Sequence, residues 1–205
     1  MKTDLKDNYE LKNIYKINNE KINKKFKAYQ TSLSNVCSVT GKNGPSNTNY
    51  LFHGTSKICD NYAQNGNLNF LKNTSDSVNA YNFYELCSNK DCSLCSISKK
   101  GFSLNWAGKG PATDLRYGKG IYFSPEMKKA LQYTEKNAFL IYSKVCLGRV
   151  YFDKDGEGYL DEYNDSKYDS IMGSPSIDSK LKSTEICVFK EEACRPKYIL
   201  EITEL

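Results

Sequence analysis

Strand-like segments dominate the 205-residue sequence, with one helix near its start and one near its middle, and together these predict an α+β fold. A chain of this length can bury a substantial core and fits one large domain. No linker divides it, so residues 10–205 are expected to form a single domain behind a frayed N-terminus, residues 1–9.

The first strand is expected at Asn13–Ile17, followed by Asn18 and Asn19 as candidate helix N-caps. Ile22, Phe26, Tyr29 and Leu33 then recur at helical spacing opposite a face rich in Lys, Asn and Gln, which predicts an amphipathic packing helix. Residues 38–49 carry Ser, Gly, Asn, Thr and one Pro and read as a loop. Leu51-Phe52-His53-Gly54-Thr55 is a short apolar segment holding the only histidine of the chain. An Asn-rich stretch runs to about residue 82 and leads into a cysteine cluster. Gly118 and Gly120 bound a tight turn before the short strand Ile121-Tyr122-Phe123. Ser124, Pro125 and Glu126 then suit a helix start, because Ser caps, Pro fits the first helical position and Glu favours the positive end. That helix is expected to reach Thr134. Residues 138–152 predict one long buried strand, residues 153–184 a polar loop too long for a plain connection. Two closing strands, 185–189 and 198–202, are expected to be joined through Arg195-Pro196.

Composition narrows the functional classes. No apolar run approaches the ~18 residues of a membrane span, and Met1-Lys2-Thr3-Asp4-Leu5 lacks a signal-peptide core, so an intracellular protein with no membrane partner is expected. Net charge is +5, a mildly basic surface suited to a phosphate-bearing ligand but too weak to demonstrate nucleic-acid binding. The eight cysteines cluster unevenly, which in a reducing compartment points to a metal site or to reduced thiols.

A lone histidine after a strand is either a structural hydrogen-bonder or a functional group. Three separated segments bear on the choice. They are His53-Gly54-Thr55; Tyr117-Gly118-Lys119-Gly120-Ile121-Tyr122-Phe123 with Tyr133 eleven residues past Tyr122; and Glu185 at the start of a strand. In this order and context they resemble the catalytic domain of the poly(ADP-ribose) polymerase (PARP) family of diphtheria-toxin-like ADP-ribosyltransferases. The ending is similar as well, with Tyr168-Asp169-Ser170, Glu185 and Ala193-Cys194-Arg195-Pro196-Lys197-Tyr198-Ile199-Leu200, as is the helical segment before the His-Gly strand. The likeness covers roughly residues 10–205.

This resemblance implies two packed, mostly antiparallel sheets around an NAD cleft, and an enzyme that cleaves the nicotinamide–ribose bond of NAD and passes ADP-ribose to a macromolecule. Such a reaction passes through an oxocarbenium-like transition state and needs the ribose held, the leaving ring gripped and an anion near the developing charge. By resemblance His53 would hydrogen-bond the adenosine ribose, and the Gly54 backbone would pair with the nicotinamide carboxamide. Tyr122 and Tyr133 would flank the nicotinamide ring, with Gly120 in the turn that lines the same cleft. Glu185 would hold the nicotinamide ribose hydroxyl, support the cationic transition state and polarise the nucleophile, making Glu185, His53 and Tyr122 the catalytic set. Where the family usually has a serine on the carboxamide, this chain has Ala130. The resemblance also implies a cytoplasmic or nuclear setting, and a protein acceptor in preference to a nucleic-acid end. A catalytically silent module of the same fold is the alternative. A hydrolase using His53 lacks a nucleophile-elbow motif.

Cys87, Cys92 and Cys95 have the spacing of a zinc knuckle, but a structural zinc takes four ligands. If His53 serves NAD, the fourth must be a cysteine, and Cys59 is the candidate, since one branch of the PARP family looks similar in placing a cysteine there ahead of a Cys-Ser-Leu-Cys run. Free thiols in a loop are the alternative, while Cys37, Cys146, Cys187 and Cys194 are expected to be buried small residues. Residues 153–164 match an EF-hand loop with glycine at its sixth place, but Asn164 cannot supply the closing bidentate carboxylate, so an acidic turn is expected there.

Overall fold

A computed structural model describes residues 9–34, 46–59, 86–107, 115–134, 137–154, 156, 158, 167–176 and 180–204. The expectations of a frayed start, of the Asn-rich excursion and of a buried Cys37 fall outside them.

Asn19 does cap the first helix: its Oδ1 accepts the Ile22 N–H at 3.1 Å. This helix, α1, spans Glu20–Ser34 and buries Ile22, Phe26 and Leu33, the stripe that the spacing predicts. The strand before it, β1, is longer than expected, Tyr9–Lys16. A register shift between Leu11 and Asn13 interrupts its pairing, and Asn13 on the inward side with exposed Ile14 on the outward side obscures the alternation in the sequence.

One sheet has the order β1-β8-β4-β2, with β2 Thr48–Thr55, β4 Asn137–Cys146 and β8 Cys194–Glu204, every pair antiparallel. The other has the order β3-β7-β6-β5, with β3 Ile121–Phe123, β5 Val150–Asp153, β6 Ser170–Gly173 and β7 Glu185–Val188. In it only β5 and β6 run parallel. Leu51, Ile141, Val145 and Ile199 from the first sheet share a core with Ile121, Phe123, Ile186 and Val188 from the second. The fold is therefore α+β with two mostly antiparallel sheets. No helix among the described residues is long and apolar enough to cross a membrane.

Four expectations need correction. The predicted strand 138–152 is two strands in different sheets, because the chain turns at Gly148 in the left-handed region (φ +57°). A Cβ there would also strike the Asp169 side chain, whose carboxylate receives the Arg149 N–H at 2.9 Å. The closing strands likewise belong to different sheets, and Arg195 and Pro196 lie inside β8. The loop 153–184 contains β6, whose Ser-Ile-Met-Gly sequence carries too little pattern to read alone and draws its pairing from β5 and β7. Last, the helix expected over 124–134 is only Met127–Leu131, here α3. Ser124 is drawn instead into a bridge with Phe52, and its hydroxyl donates to the Thr184 carbonyl at 2.7 Å.

The sequence reading also missed a helix, α2, Ser93–Lys100, which buries Leu94, Cys95 and Ser98. Its serines and its brevity hide the helical period.

Candidate functional site

Among the described residues the two sheets are joined by an isolated backbone bridge, and the candidate site is built around it. Phe52 and Ser124 exchange both hydrogen bonds, at 2.8 and 3.0 Å, joining β2 at the edge of one sheet to the end of β3 in the other. The next residue on β2 is His53, and its Nδ1 lies 2.8 Å from the Tyr122 carbonyl oxygen. A carbonyl can only accept, so Nδ1 carries the hydrogen and Nε2 of the neutral ring is left as an acceptor. Burial depresses the His53 pKa and the Tyr122 hydrogen bond partly offsets it, so the ring is neutral at physiological pH. Phe102 meets His53 edge-on with centroids 5.0 Å apart, and Phe123 lies 5.6 Å away.

Gly54 is a close-approach position. A Cβ there would run into the Ala130 carbonyl oxygen and crowd the Tyr133 Cβ, so only glycine lets the end of α3 come this near β2. The contact brings Tyr133 beside the His-Gly segment. Ala130 is itself buried.

Tyr122 stands on β3 with its hydroxyl fully used: it donates to the Gly118 carbonyl at 2.8 Å and accepts the Tyr117 N–H at 2.9 Å. What it can offer a ligand is therefore its ring. Gly120 sits tightly against Cys187 and the Val188 carbonyl, which places it as packing for the turn under Tyr122.

Glu185 opens β7 with its side chain only 16% exposed, and Lys129 Nζ lies 2.7 Å from its Oε1 and Arg116 Nε 3.7 Å from its Oε2. Lys129 was missed from the sequence, where it is an ordinary lysine of α3 four residues before Tyr133. Its ammonium also lies 5.3 Å from the Tyr133 ring centroid. Burial alone would lower the Lys129 pKa, but hydrogen bonds to Glu185 and Tyr133 outweigh it and raise it, so the ammonium stays charged. Arg116 is held in turn by donating to the Gly156 carbonyl. Glu126 accepts the Thr184 N–H at 2.7 Å and so fixes the entry into β7.

His53, Gly54, Tyr122, Tyr133 and Glu185, up to 132 residues apart in the chain, are thus linked by contacts through Ala130 and Lys129. The arrangement can offer one neutral acceptor, two aromatic rings and one carboxylate flanked by cations.

A second cluster lies at the start of α2. The sulfurs of Cys59, Cys87, Cys92 and Cys95 all lie within 4.8 Å of one another. Cys59 Sγ is 3.7 Å from both Cys92 Sγ and Cys95 Sγ. Four sulfurs at ~2.3 Å from a shared tetrahedral metal would stand ~3.8 Å apart, whereas a disulfide needs ~2.05 Å. The donor set and spacing therefore fit a metal ion. Burial resists ionisation of Cys92, but the Cys95 and Ile58 backbone N–H groups bring its pKa down to about 7, as suits a thiol at the N-cap of α2. Burial raises Cys95, so a metal would have to displace its proton.

Cys146, Cys187 and Cys194 are buried, as expected. For the EF-hand-like segment, Asp153 accepts from Tyr117 OH at 3.0 Å and from the Gly156 and Gly158 N–H groups. The ligand positions 155, 157, 161 and 164 lie outside the described residues. No protein-family model matches this sequence, and no curated protein matches it significantly.

Proposed function

We propose that the protein is an NAD-dependent ADP-ribosyltransferase of the PARP type, acting inside the cell on a protein acceptor, and that its four clustered cysteines hold a structural zinc ion. The observation that carries the first reading is the convergence of His53, Gly54, Tyr122, Tyr133 and Glu185 on the junction of the two sheets. Zinc is favoured because four thiolates at tetrahedral spacing suit a closed structural site. Such thiols persist in a reducing compartment, the cytoplasm or nucleus.

The residues divide the work as follows. His53 Nε2 accepts a hydrogen bond from the adenosine ribose. The Gly54 backbone takes the carboxamide, and the rings of Tyr122 and Tyr133 hold nicotinamide between them. Glu185 accepts from the nicotinamide ribose hydroxyl, and its negative charge stabilises the positive charge that develops as the glycosidic bond lengthens. Lys129 and Arg116 orient that carboxylate without touching the reacting atoms.

Incubation with labelled NAD tests this. Nicotinamide release and label transfer by the wild type should fall by roughly 100-fold or more in Glu185→Gln, with NAD affinity changed only a few-fold. Equal turnover in the variant would refute the assignment of Glu185. NAD binding without turnover in the wild type would identify a silent binding module. Metal analysis of reduced protein should find about one equivalent of zinc, and less than about half an equivalent would count against the site.

A further inference from the structure

The face of the β1-β8-β4-β2 sheet turned away from the shared core carries a second set of groups. Residues directly opposite in antiparallel strands share a face. The register sets Phe52 opposite Tyr142, Tyr142 opposite Tyr198, and Tyr198 opposite Lys16. In the adjacent row Tyr50 stands opposite Lys144, and Lys144 opposite Arg195. Leu51, Ile141, Val145 and Ile199 alternate with these positions and enter the core, so both rows lie on the outer face.

Part of this face is covered, since Phe52 is buried with Ala130 and Leu131 of α3 and Tyr142 and Tyr198 pack partly against that cluster, which leaves Tyr50 as its open ring. Tyr50 and Tyr142 stack with centroids 5.4 Å apart at 27°, and Tyr50 remains 46% exposed. Tyr198 lies one strand further on, with Lys197 Nζ 5.7 Å from its ring centroid. Lys197 is the extra residue of a bulge, between the pairings Tyr142–Tyr198 and Ser143–Pro196. Burial and the nearby charges of Arg195, Lys16 and Lys144 lower the pKa of Lys197, which places the four cations in one field. Among the described residues none of the four forms an ion pair, and Arg195 Nε is buried without a hydrogen-bond partner.

We propose that this face binds single-stranded nucleic acid, a base stacking on the exposed ring of Tyr50 beside Tyr142 and Tyr198 and its phosphates lying along Lys16, Lys144, Arg195 and Lys197. Cations that have no carboxylate partner complement a polyanion, and flat rings interleaved with them suit unpaired bases, which every sequence presents. An acidic peptide would use the cations and leave the rings idle. A duplex hides its base faces. The surface adjoins the Glu185 site through α3, which packs against it and carries Lys129, but it does not depend on the transferase reading.

The test is fluorescence anisotropy of labelled single strands of about 12 nucleotides, within the ~4–16 that one such platform covers, against the full chain at low salt. Binding should exceed that of a duplex of equal length by about tenfold, with a slope of log K against log salt near −3 from four phosphate contacts. The double variant Lys16→Ala/Lys197→Ala should reduce the magnitude of that slope by about 1.4. Tyr50→Ala should weaken binding about fivefold or more, and Tyr50→Phe should keep it. Glu185→Gln should bind as the wild type does, so this result and that of NAD turnover are separable. The proposal is overturned by no binding at low salt, by equal affinity for duplex with Tyr50→Ala unchanged, or by capture on anionic vesicles without capture of the oligonucleotide.

Discussion

His53 donates its Nδ1 hydrogen to the Tyr122 carbonyl and is held neutral by burial, and both facts have measurable consequences. The unfolded chain takes up a proton at this residue near pH 6.5, while the folded chain resists until a lower pH. Stability therefore falls as pH drops below about 6.5, levels off below the lowered folded pKa, and gains nothing from this group above 6.5. Thermal unfolding followed from pH 7.5 to about 5 should show a steeper loss in the wild type than in His53→Gln; parallel curves would contradict a buried neutral imidazole. NAD affinity should weaken over the same range, because protonation removes the Nε2 acceptor. A second residue-scale prediction concerns Ala130, whose carbonyl lies where a Cβ on Gly54 would be. Introducing a hydroxyl with Ala130→Ser should tighten nicotinamide inhibition about fivefold, near the ~1 kcal/mol of one net hydrogen bond. Unchanged inhibition would place the carboxamide elsewhere. His53, Gly54, Tyr122, Tyr133 and Glu185 were singled out in the sequence by the order and spacing of three separated segments and the resemblance they carry, each segment being weak alone. Lys129 and Phe102 were not, since an ordinary helical lysine and an apolar residue gain meaning only from what they touch.

At the scale of elements, α2 joins the cysteine cluster to His53. Its N-cap is Cys92, its Leu94 N–H donates to the Ser56 carbonyl three residues past His53, and Phe102, just beyond its end, packs on the His53 ring. The far end is pinned as well, by Asn19 donating to the Lys99 carbonyl at 2.8 Å. A bound metal would therefore steady His53 through a helix too short to be stable alone. Chelation of the metal, or Cys95→Ser, should change the emission of Trp106, the only tryptophan of the chain, and weaken NAD binding several-fold. Emission and affinity that survive full metal removal would sever the proposed link. The spacing of Cys87, Cys92 and Cys95 announced this cluster, but the helix that carries Cys95 and is capped by Cys92 was hidden. Eight residues with serine at three positions show too little period, and α2 is selected by burying Leu94 and Cys95.

For the whole molecule, the decisive feature is that the candidate site belongs to neither sheet alone. His53 and Gly54 come from one, Tyr122 and Glu185 from the other, and Phe52–Ser124 joins them. A ligand that bridges them should stabilise the fold as a unit, so NAD at ~100 times its Kd should add ~2.7 kcal/mol and raise the unfolding temperature in both the wild type and Glu185→Gln. Absence of any shift would count against an NAD site at this junction. By itself the sequence determined the α+β class, the amphipathic α1 with Asn18 and Asn19 as its candidate caps, the motif segments and the set of four cysteines, because these depend on local periodicity, capping chemistry and residue type. Only the tertiary structure decided that residues 138–152 divide between two sheets at Gly148, that β6 is a strand, and that Lys129 faces Glu185. The same holds for the outer platform, where Tyr50, Tyr142 and Tyr198 become neighbours through strand register. The physical reason is common to all of them: pairing register and ion pairing join residues far apart in the chain, and a local stretch of sequence carries no record of its partner.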